Sequence, residues 1–430
     1  MNVSVNASWM KVPTADTEGV LGIRIMGDSP IARAIHIGLV LDTSGSMEGE
    51  RINAVKRTLS VLIDRLRDGD KISVVGFSNT ATRLFNSHII SAANKADAIA
   101  AVDKLVADGG TNMEAGIVAL GEMFQSATDK PNALVLLTDG QVNQGIVTTA
   151  GLASLLRSYL ASVPVYTLGY GNDHNAELLR SISARTQAAY TYINNEIVLP
   201  ASIGDLLGSL QSEVASLTTV KFPATGWTCL ELNQPTEAGL YEAGSLIADK
   251  PTWIVLTANF VNRDEALSLK YKKCGSNDTI TVPIVIDEIL SIVELTEQFL
   301  RCKTARTLGD VTELLNSGNI TQAMTLLKNC SELLNDATQT TLVIRMKAQI
   351  EEMLEEVTRA QTTHRTGRRL NFDAMAMRAA STAQNYSAQR GVTGGGTVDA
   401  IFSSPAVNRA RTQMVEQYTI REDPAPAASL

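Results

Sequence analysis

Cysteine and histidine are both scarce, with 4 of each in 430 residues, and this scarcity removes several chemistries. Cys229, Cys274, Cys302 and Cys330 include no Cys-x-x-Cys pair, and no histidine stands at zinc-ligand spacing from them. A structural zinc and a disulfide framework are therefore not expected. Positive charge is not in excess either: 37 Lys and Arg against 45 Asp and Glu give a net charge of −8. That argues against nucleic acid as the main ligand and against an anionic membrane surface. Long apolar runs are missing as well. The longest early one, Ile35 to Leu41, is far too short to span a bilayer. The opening MNVSVNASWMKVPTADTEG has neither the basic nor the apolar region of a signal peptide. A soluble, cytoplasmic protein is expected.

Hydrophobic residues make up 44% of the chain and charged residues 19%, enough apolar material for sizeable cores. At roughly 100–200 residues per domain, the length suggests two to four domains. Residues 1–33 carry two alternating stretches, Val3–Ala7 and Val20–Ile25, which read as half-buried strands. Two strands do not stand alone. Their partners are expected in residues 218–287, where strand patterns recur at Thr219–Phe222, Thr228–Leu232, Trp253–Phe260, Leu267–Tyr271 and Ile280–Ile286 between turn residues. Together these segments predict a discontinuous β-sandwich.

Between them, residues 34–217 alternate buried strands with amphipathic helices. The strands are Ile35–Leu41, Ile72–Phe77, Leu134–Leu137 and Val163–Leu168. Ile52, Val55, Leu59, Leu62, Ile63 and Leu66 recur at helical spacing, and a helix over about 201–217 closes the unit. This is the pattern of an α/β, Rossmann-like unit with a central, mostly parallel sheet flanked by helices, here inserted into the sandwich. Residues 288–358 carry two apolar stripes, one from Ile320 to Leu334 and one from Val343 to Val357, which predict a helical hairpin. Residues 359–430 form an Arg-containing linker and tail. Six arginines face one acid, Asp373, between 359 and 390, and Gly391–Gly396 reads as a flexible joint. Ser404-Pro405 then starts a helix running through Tyr418.

The chemistry is concentrated where α/β strands end. The first strand runs into Asp42-Thr43-Ser44-Gly45-Ser46, a second loop is Asp108-Gly109-Gly110-Thr111-Asn112, and a third is Thr138-Asp139-Gly140. Ligands of open α/β sheets gather at the carboxyl ends of the strands. The carboxylates and hydroxyls offered there are hard oxygen donors without His or Cys, a set suited to Mg²⁺ or Mn²⁺ rather than zinc or copper.

These three loops resemble the metal-ion-dependent adhesion site of von Willebrand factor A (vWA) domains. Asp42, Ser44 and Ser46 match the family's DxSxS, Thr111 its loop threonine and Asp139 its second aspartate. The resemblance implies that Ser44, Ser46 and Thr111 coordinate the metal directly, with Asp42 and Asp139 acting mainly through water. It implies a Mg²⁺ cofactor, with Mn²⁺ or Ca²⁺ as alternatives, and a protein partner presenting an Asp or Glu to complete the shell. Gly45, Gly110 and Gly140 are the partner-facing positions of the loops. The order of strand pair, vWA domain, sandwich and helices is similar to intracellular vWA proteins with a Vint-like C-terminal region. A RING module found in some relatives is not matched, because the Cys/His cluster is missing.

Two other functions compete. A metal-dependent phosphohydrolase would place a nucleophile at Asp42, but the second aspartate needed two residues on is Ser44. Neither GxSxG nor GxxxxGK[ST] occurs. A scaffold whose metal site merely stabilises the fold is the other. The sequence favours a non-catalytic, metal-dependent protein-interaction module and leaves the oligomeric state open.

Overall fold

The computed structural model describes residues 3–364 and 404–422, leaving out 12–17, 29–32, 125–130, 141, 161–162, 172–173, 187, 195–196, 224, 232–238, 260–265, 275, 277 and 288, together with residues 379, 382, 392–394 and 397–399. The chain divides into two compact units, one of residues 1–31 and 212–394 with a short stretch near 400, the other of residues 32–211 and the C-terminal segment from Ala406. Arg365, Arg368, Arg369, Arg378 and Arg390, and residues 391, 395 and 396 of the Gly391–Gly396 joint, lie outside the described residues; the part of the joint that is described, Val392–Gly394, is a short strand.

The chain opens with strands β1 (Val3–Lys11) and β2 (Glu18–Gly27), which belong to the first unit. The second unit follows: β3 (His36–Asp42), α1 (Glu50–Arg65), β4 (Lys71–Phe77), β5 (Ala81–Ile89), α2 (Lys95–Val102), α3 (Met113–Phe124), β6 (Ala133–Thr138), α4 (Thr149–Leu160), β7 (Val165–Tyr170), α5 (Ala176–Arg185), β8 (Tyr190–Ile193) and α6 (Val198–Gln211). Its six strands lie in the order β5-β4-β3-β6-β7-β8. All neighbours run parallel except the antiparallel edge strand β5. Every residue of β3 and β6 is buried, as expected of strands covered by helices on both faces. From β3 the chain steps outward to β4 and β5, then returns to β6 on the other side of β3. The carboxyl ends of β3 and β6 thus flank the topological switch point, where such sheets bind ligands.

Two features of this unit differ from the sequence expectation. β5 and β8 join the sheet without having been anticipated, β8 being only four residues long. The closing helix α6 ends at Gln211, short of the expected 217. From Glu213 the backbone is already a strand, β9 (Glu213–Lys221), paired with a neighbour on each side. Val214, Thr218, Thr219 and Val220 suit that pleated position better than a helix.

The remaining strands of the sandwich are β10 (Trp227–Cys229), β11 (Leu240–Ile247), β12 (Thr252–Asn259), β13 (Leu267–Lys273) and β14 (Thr279–Ile284), while Val392–Gly394 and Thr397–Asp399 pair in a separate two-stranded sheet. The sandwich strands form two antiparallel sheets, β1-β2-β12-β10 and β11-β9-β13-β14. Leu21, Ile23, Ile25, Ile254 and Leu256 of one sheet share a core with Val220, Leu246, Leu267 and Leu269 of the other, which is the packing of a sandwich.

Three helices follow where two were expected: α7 (Ile292–Asn316), α8 (Ile320–Asn335) and α9 (Thr341–His364). The two stripes read from the sequence lie on α8 and α9. The added helix, α7, starts at a capping box in which Glu294 N donates to Ser291 Oγ at 3.2 Å and Ser291 N donates to Glu294 Oε2 at 3.0 Å. Its Leu295, Phe299 and Cys302 pack with Met10, Val20, Trp253 and Val255, so α7 covers the outer face of the first sheet. Among the described residues no helix is long and apolar enough to cross a membrane.

The final element, α10 (Pro405–Glu422), folds onto the α/β unit. Met414 enters that unit's core and Tyr418 is fully buried. Arg57 donates to the Tyr418 hydroxyl at 2.9 Å, Arg65 Nε to Gln417 at 3.0 Å, and Arg411 Nε to Asp205 at 2.7 Å. The segment expected as a tail is in this part a packed helix.

Candidate functional site

Asp42 is the last residue of β3 and Thr138 the last of β6, and their adjacent strands bring the two side chains together: Thr138 donates its hydroxyl to Asp42 Oδ2. Asp42 Oδ1 accepts the Ser44 backbone N–H at 2.8 Å, which turns the chain sharply after the strand. A short 3-10 turn, Gly45–Met47, follows. Met47 is fully buried in the core and anchors the loop from below. Thr43 ties the same loop to the end of β4, donating from its backbone N at 2.8 Å and from Oγ1 at 3.0 Å to the Phe77 carbonyl.

The second loop is stitched to the first by two backbone bonds, Gly45 N to Gly109 O at 3.0 Å and Asp108 N to Thr43 O at 2.8 Å. Thr111 is clamped by Asn143: its N–H donates to Asn143 Oδ1 at 3.0 Å, and its carbonyl accepts from Asn143 N at 3.2 Å. Asn79 Oδ1 accepts from Gly110 N and from Gln144 Nε2, both at 2.8 Å. Asn112 caps α3, accepting the Ala115 N–H at 3.1 Å.

The hydroxyls and carboxylates of the three loops converge. Ser44 Oγ and Ser46 Oγ are 3.0 Å apart, and Ser46 Oγ donates to Asp139 Oδ1 at 2.7 Å. A Cβ placed on Gly140 would stand 3.6 Å from both Ser46 Oγ and Thr111 Oγ1, so these two hydroxyls flank the same glycine. Asp42, Asp139, Ser44 and Thr111 are buried while Ser46 and Gly45 are exposed; Gly110 and Gly140 are half-buried. The site therefore opens at the Ser46 side. Burial pushes the Asp42 carboxyl above its usual range, opposed by the hydrogen bonds from Ser44 and Thr138. All five side chains named from the sequence lie in this one cluster.

The donor set fits a hard divalent cation: three hydroxyl oxygens and two carboxylates around one opening, with no nitrogen or sulfur. Among the described residues no group of three or more His, Cys, Asp or Glu is placed to hold a metal, so a metal here depends on the hydroxyls. Two of the four histidines are engaged elsewhere, His36 with Ser73 Oγ at 2.9 Å and His174 with the Tyr190 hydroxyl at 2.8 Å. Four functional neighbours were not singled out from the sequence: Thr138, Asn79, Asn143 and Arg51. Thr138 stood within a named loop. Asn79 and Asn143 act through loop geometry that carries no motif. Arg51 pairs with Asp139 from the first turn of α1, outside the three loops.

Comparison with known proteins agrees with this geometry. Residues 36–201 match the von Willebrand factor type A domain family. An uncharacterized protein of Synechocystis sp. is 31% identical over 186 residues, covering 43% of this chain and 43% of that protein. Inter-alpha-trypsin inhibitor heavy chain H3 of Rattus norvegicus is 26% identical over 226 residues, 49% of this chain and 25% of that protein. The match thus spans less than half the length of these curated relatives. Among solved structures, von Willebrand factor type A from Catenulispora acidiphila is similar in fold, with a TM-score of 0.63 at 16% identity over 89% of this chain and 96% of that one. The chain contains, over residues 36–201, a von Willebrand factor type A domain.

Proposed function

We propose that this domain is a non-catalytic protein-interaction module that depends on a divalent metal, Mg²⁺ in the first instance. The observation that carries the proposal is the convergence of Ser44, Ser46, Thr111, Asp42 and Asp139 at the switch point of the sheet. Ser44, Ser46 and Thr111 would hold the ion directly, and the two aspartates through water. Bound there, it would supply an electrophilic position for an Asp or Glu of a protein partner. Of the partner-facing glycines Gly45, Gly110 and Gly140, Gly140 leaves room beside Ser46 and Thr111 for the partner's carboxylate and Gly45 lies exposed at the opening, whereas the space beside Gly110 is filled by Gln144, Asn79 and Asn143.

The hydrogen bonding speaks against nucleophilic catalysis. The two serines bond each other and Ser46 also bonds Asp139, whereas an activated serine needs a base such as histidine beside it. The sandwich and three-helix region, read from the sequence as Vint-like, carry the domain in this proposal. All four cysteines are free and buried, which suits a reducing, cytoplasmic setting.

The test is a pull-down from the source cell's lysate with Mg²⁺ or with EDTA, comparing the wild type with a folded Asp42→Ala, Ser44→Ala variant. Partners lost both on chelation and in the variant support metal-bridged recognition. Partners retained in both place recognition on another surface, and the metal site becomes a stabilising feature of a scaffold.

A further inference from the structure

The site carries a cation of its own. Arg51 Nη1 pairs with Asp139 Oδ2 and lies 3.4 Å from the Ser46 carbonyl. Asp139 Oδ1 accepts from Ser46 Oγ at 2.7 Å, so one oxygen of the buried carboxylate meets a hydroxyl of the cluster and the other meets a guanidinium. The Asp139 side chain is wholly shielded from solvent, while 32% of the Arg51 side chain is exposed. Arg51 thus reaches from the opening inward to the acid.

Two residues at the end of β7 hold it in this place. The guanidinium carbon lies 5.8 Å from the centre of the Tyr170 ring, a cation–π distance. Gly171 follows at φ +70°, where a Cβ would come within 3.1 Å of Arg51 Nη2. A larger residue there would strain the backbone and crowd the guanidinium.

The charge balance follows. Asp42 and Asp139 bring two negative charges to the cluster, and Arg51 cancels one of them. A doubly charged ion among neutral hydroxyls would then face a single net negative charge. We propose that Arg51 is the residue that makes metal and partner binding interdependent. By offsetting Asp139 it weakens retention of the ion alone, so the ion is held firmly only when a carboxylate from outside restores the missing charge. The inference rests on the metal-site proposal above and names the partner's contribution: an anionic oxygen ligand, not a neutral one.

The test uses the full chain and Mn²⁺, with free Mn²⁺ followed by electron paramagnetic resonance, in chloride and in acetate of equal ionic strength. The variants are Arg51→Gln, Arg51→Met as a second neutral replacement, and Arg51→Lys, which keeps the charge. In chloride, the neutral variants are expected to bind Mn²⁺ about tenfold more tightly than wild type, since a like charge beside the ion has been removed. Arg51→Lys should remain near wild type. Acetate should tighten Mn²⁺ binding to the wild type more than to the neutral variants. Equal or weaker Mn²⁺ binding by folded neutral variants would overturn the role of Arg51 and leave the metal site standing. Absence of Mn²⁺ binding from wild type and variants alike would overturn the metal site itself.

Discussion

Gly204 and Arg411 meet backbone to backbone: a Cβ on Gly204 would stand 2.7 Å from the Arg411 Cα. One turn along α6, a Cβ on Gly208 would stand 2.7 Å from the Val407 Cα. The two glycines, four residues apart on one helix face, therefore form the seat on which α10 lies. The neighbouring Asp205 accepts the Arg411 guanidinium. Replacing both glycines by leucine should expel α10 while leaving α6 helical, because leucine is the better helix former by about 1 kcal/mol per position. Hydrogen exchange across residues 405–422 is the readout. Protection there should fall to that of an isolated helix in the variant, and unchanged protection would show that the ion pairs and the buried Met414 and Tyr418 hold α10 without the glycine seat.

Arg301 and Glu231 form an ion pair with no exposed side-chain surface on either partner. Gln298 accepts from Arg301 Nε at 2.7 Å, and the pair joins α7 to the residues just after β10. A buried charge without its partner costs far more than the pair contributes. Arg301→Met alone should therefore destabilise the first unit by about 3–5 kcal/mol, and Arg301→Met with Glu231→Leu should recover most of that loss. Urea denaturation of the three proteins would decide. A double variant no more stable than Arg301→Met would mean that the pair fixes the packing of α7 and is not just mutually compensating.

Thr138 matters to the site because its hydroxyl donates to Asp42 Oδ2, alongside the hydrogen bonds that Asp42 receives from Ser44. Thr138→Val keeps the shape and leaves Asp42 Oδ2 without that hydroxyl. The expected cost is about 1–3 kcal/mol of stability for an unsatisfied buried acceptor, measured in EDTA so that no metal contributes. Mn²⁺ binding should weaken in parallel, because Asp42 loses the bond that fixes its orientation. Stability unchanged from wild type would indicate that water replaces the hydroxyl.

The sequence disclosed the parts of this protein that depend on short, repeated rules. β3 and β6 are wholly buried and read as unbroken apolar runs; Asp42, Ser44, Ser46, Thr111 and Asp139 stand in loops that end strands or open a helix. The parts it hid depend on distant partners. β8 is four residues long, too short for periodicity to register. Residues 213–217 became strand instead of helix because β11 and β13 flank them, extending the strand read at Thr219–Phe222, and that pairing is not visible from the local pattern. Arg51 looks like one more polar residue at the start of a helix; its meaning comes from Asp139, 88 positions away. The seat for α10 was written as Gly-x-x-x-Gly, but without α10 in place those glycines read only as weak points in a helix.

Asn143 offers a way to separate positioning from coordination. Its side chain accepts the Thr111 N–H and its own N–H donates to the Thr111 carbonyl, so it fixes the backbone that carries the Thr111 hydroxyl without lending that hydroxyl a bond. Residues of this kind typically change metal affinity by about 10–100-fold. Asn143→Ala should weaken Mn²⁺ binding within that range while leaving the folded structure intact. Thr111→Ala should abolish binding, since it removes a donor and not just its support. Thr111→Ser restores the hydroxyl and should return affinity to near the wild-type value. Isothermal titration of the three variants gives the order directly. If Asn143→Ala bound Mn²⁺ as tightly as wild type, the loop would be held by the backbone bonds of Asp108 and Gly109 to the first loop and by the Gly110 bond to Asn79, and Asn143 would have no part in the site.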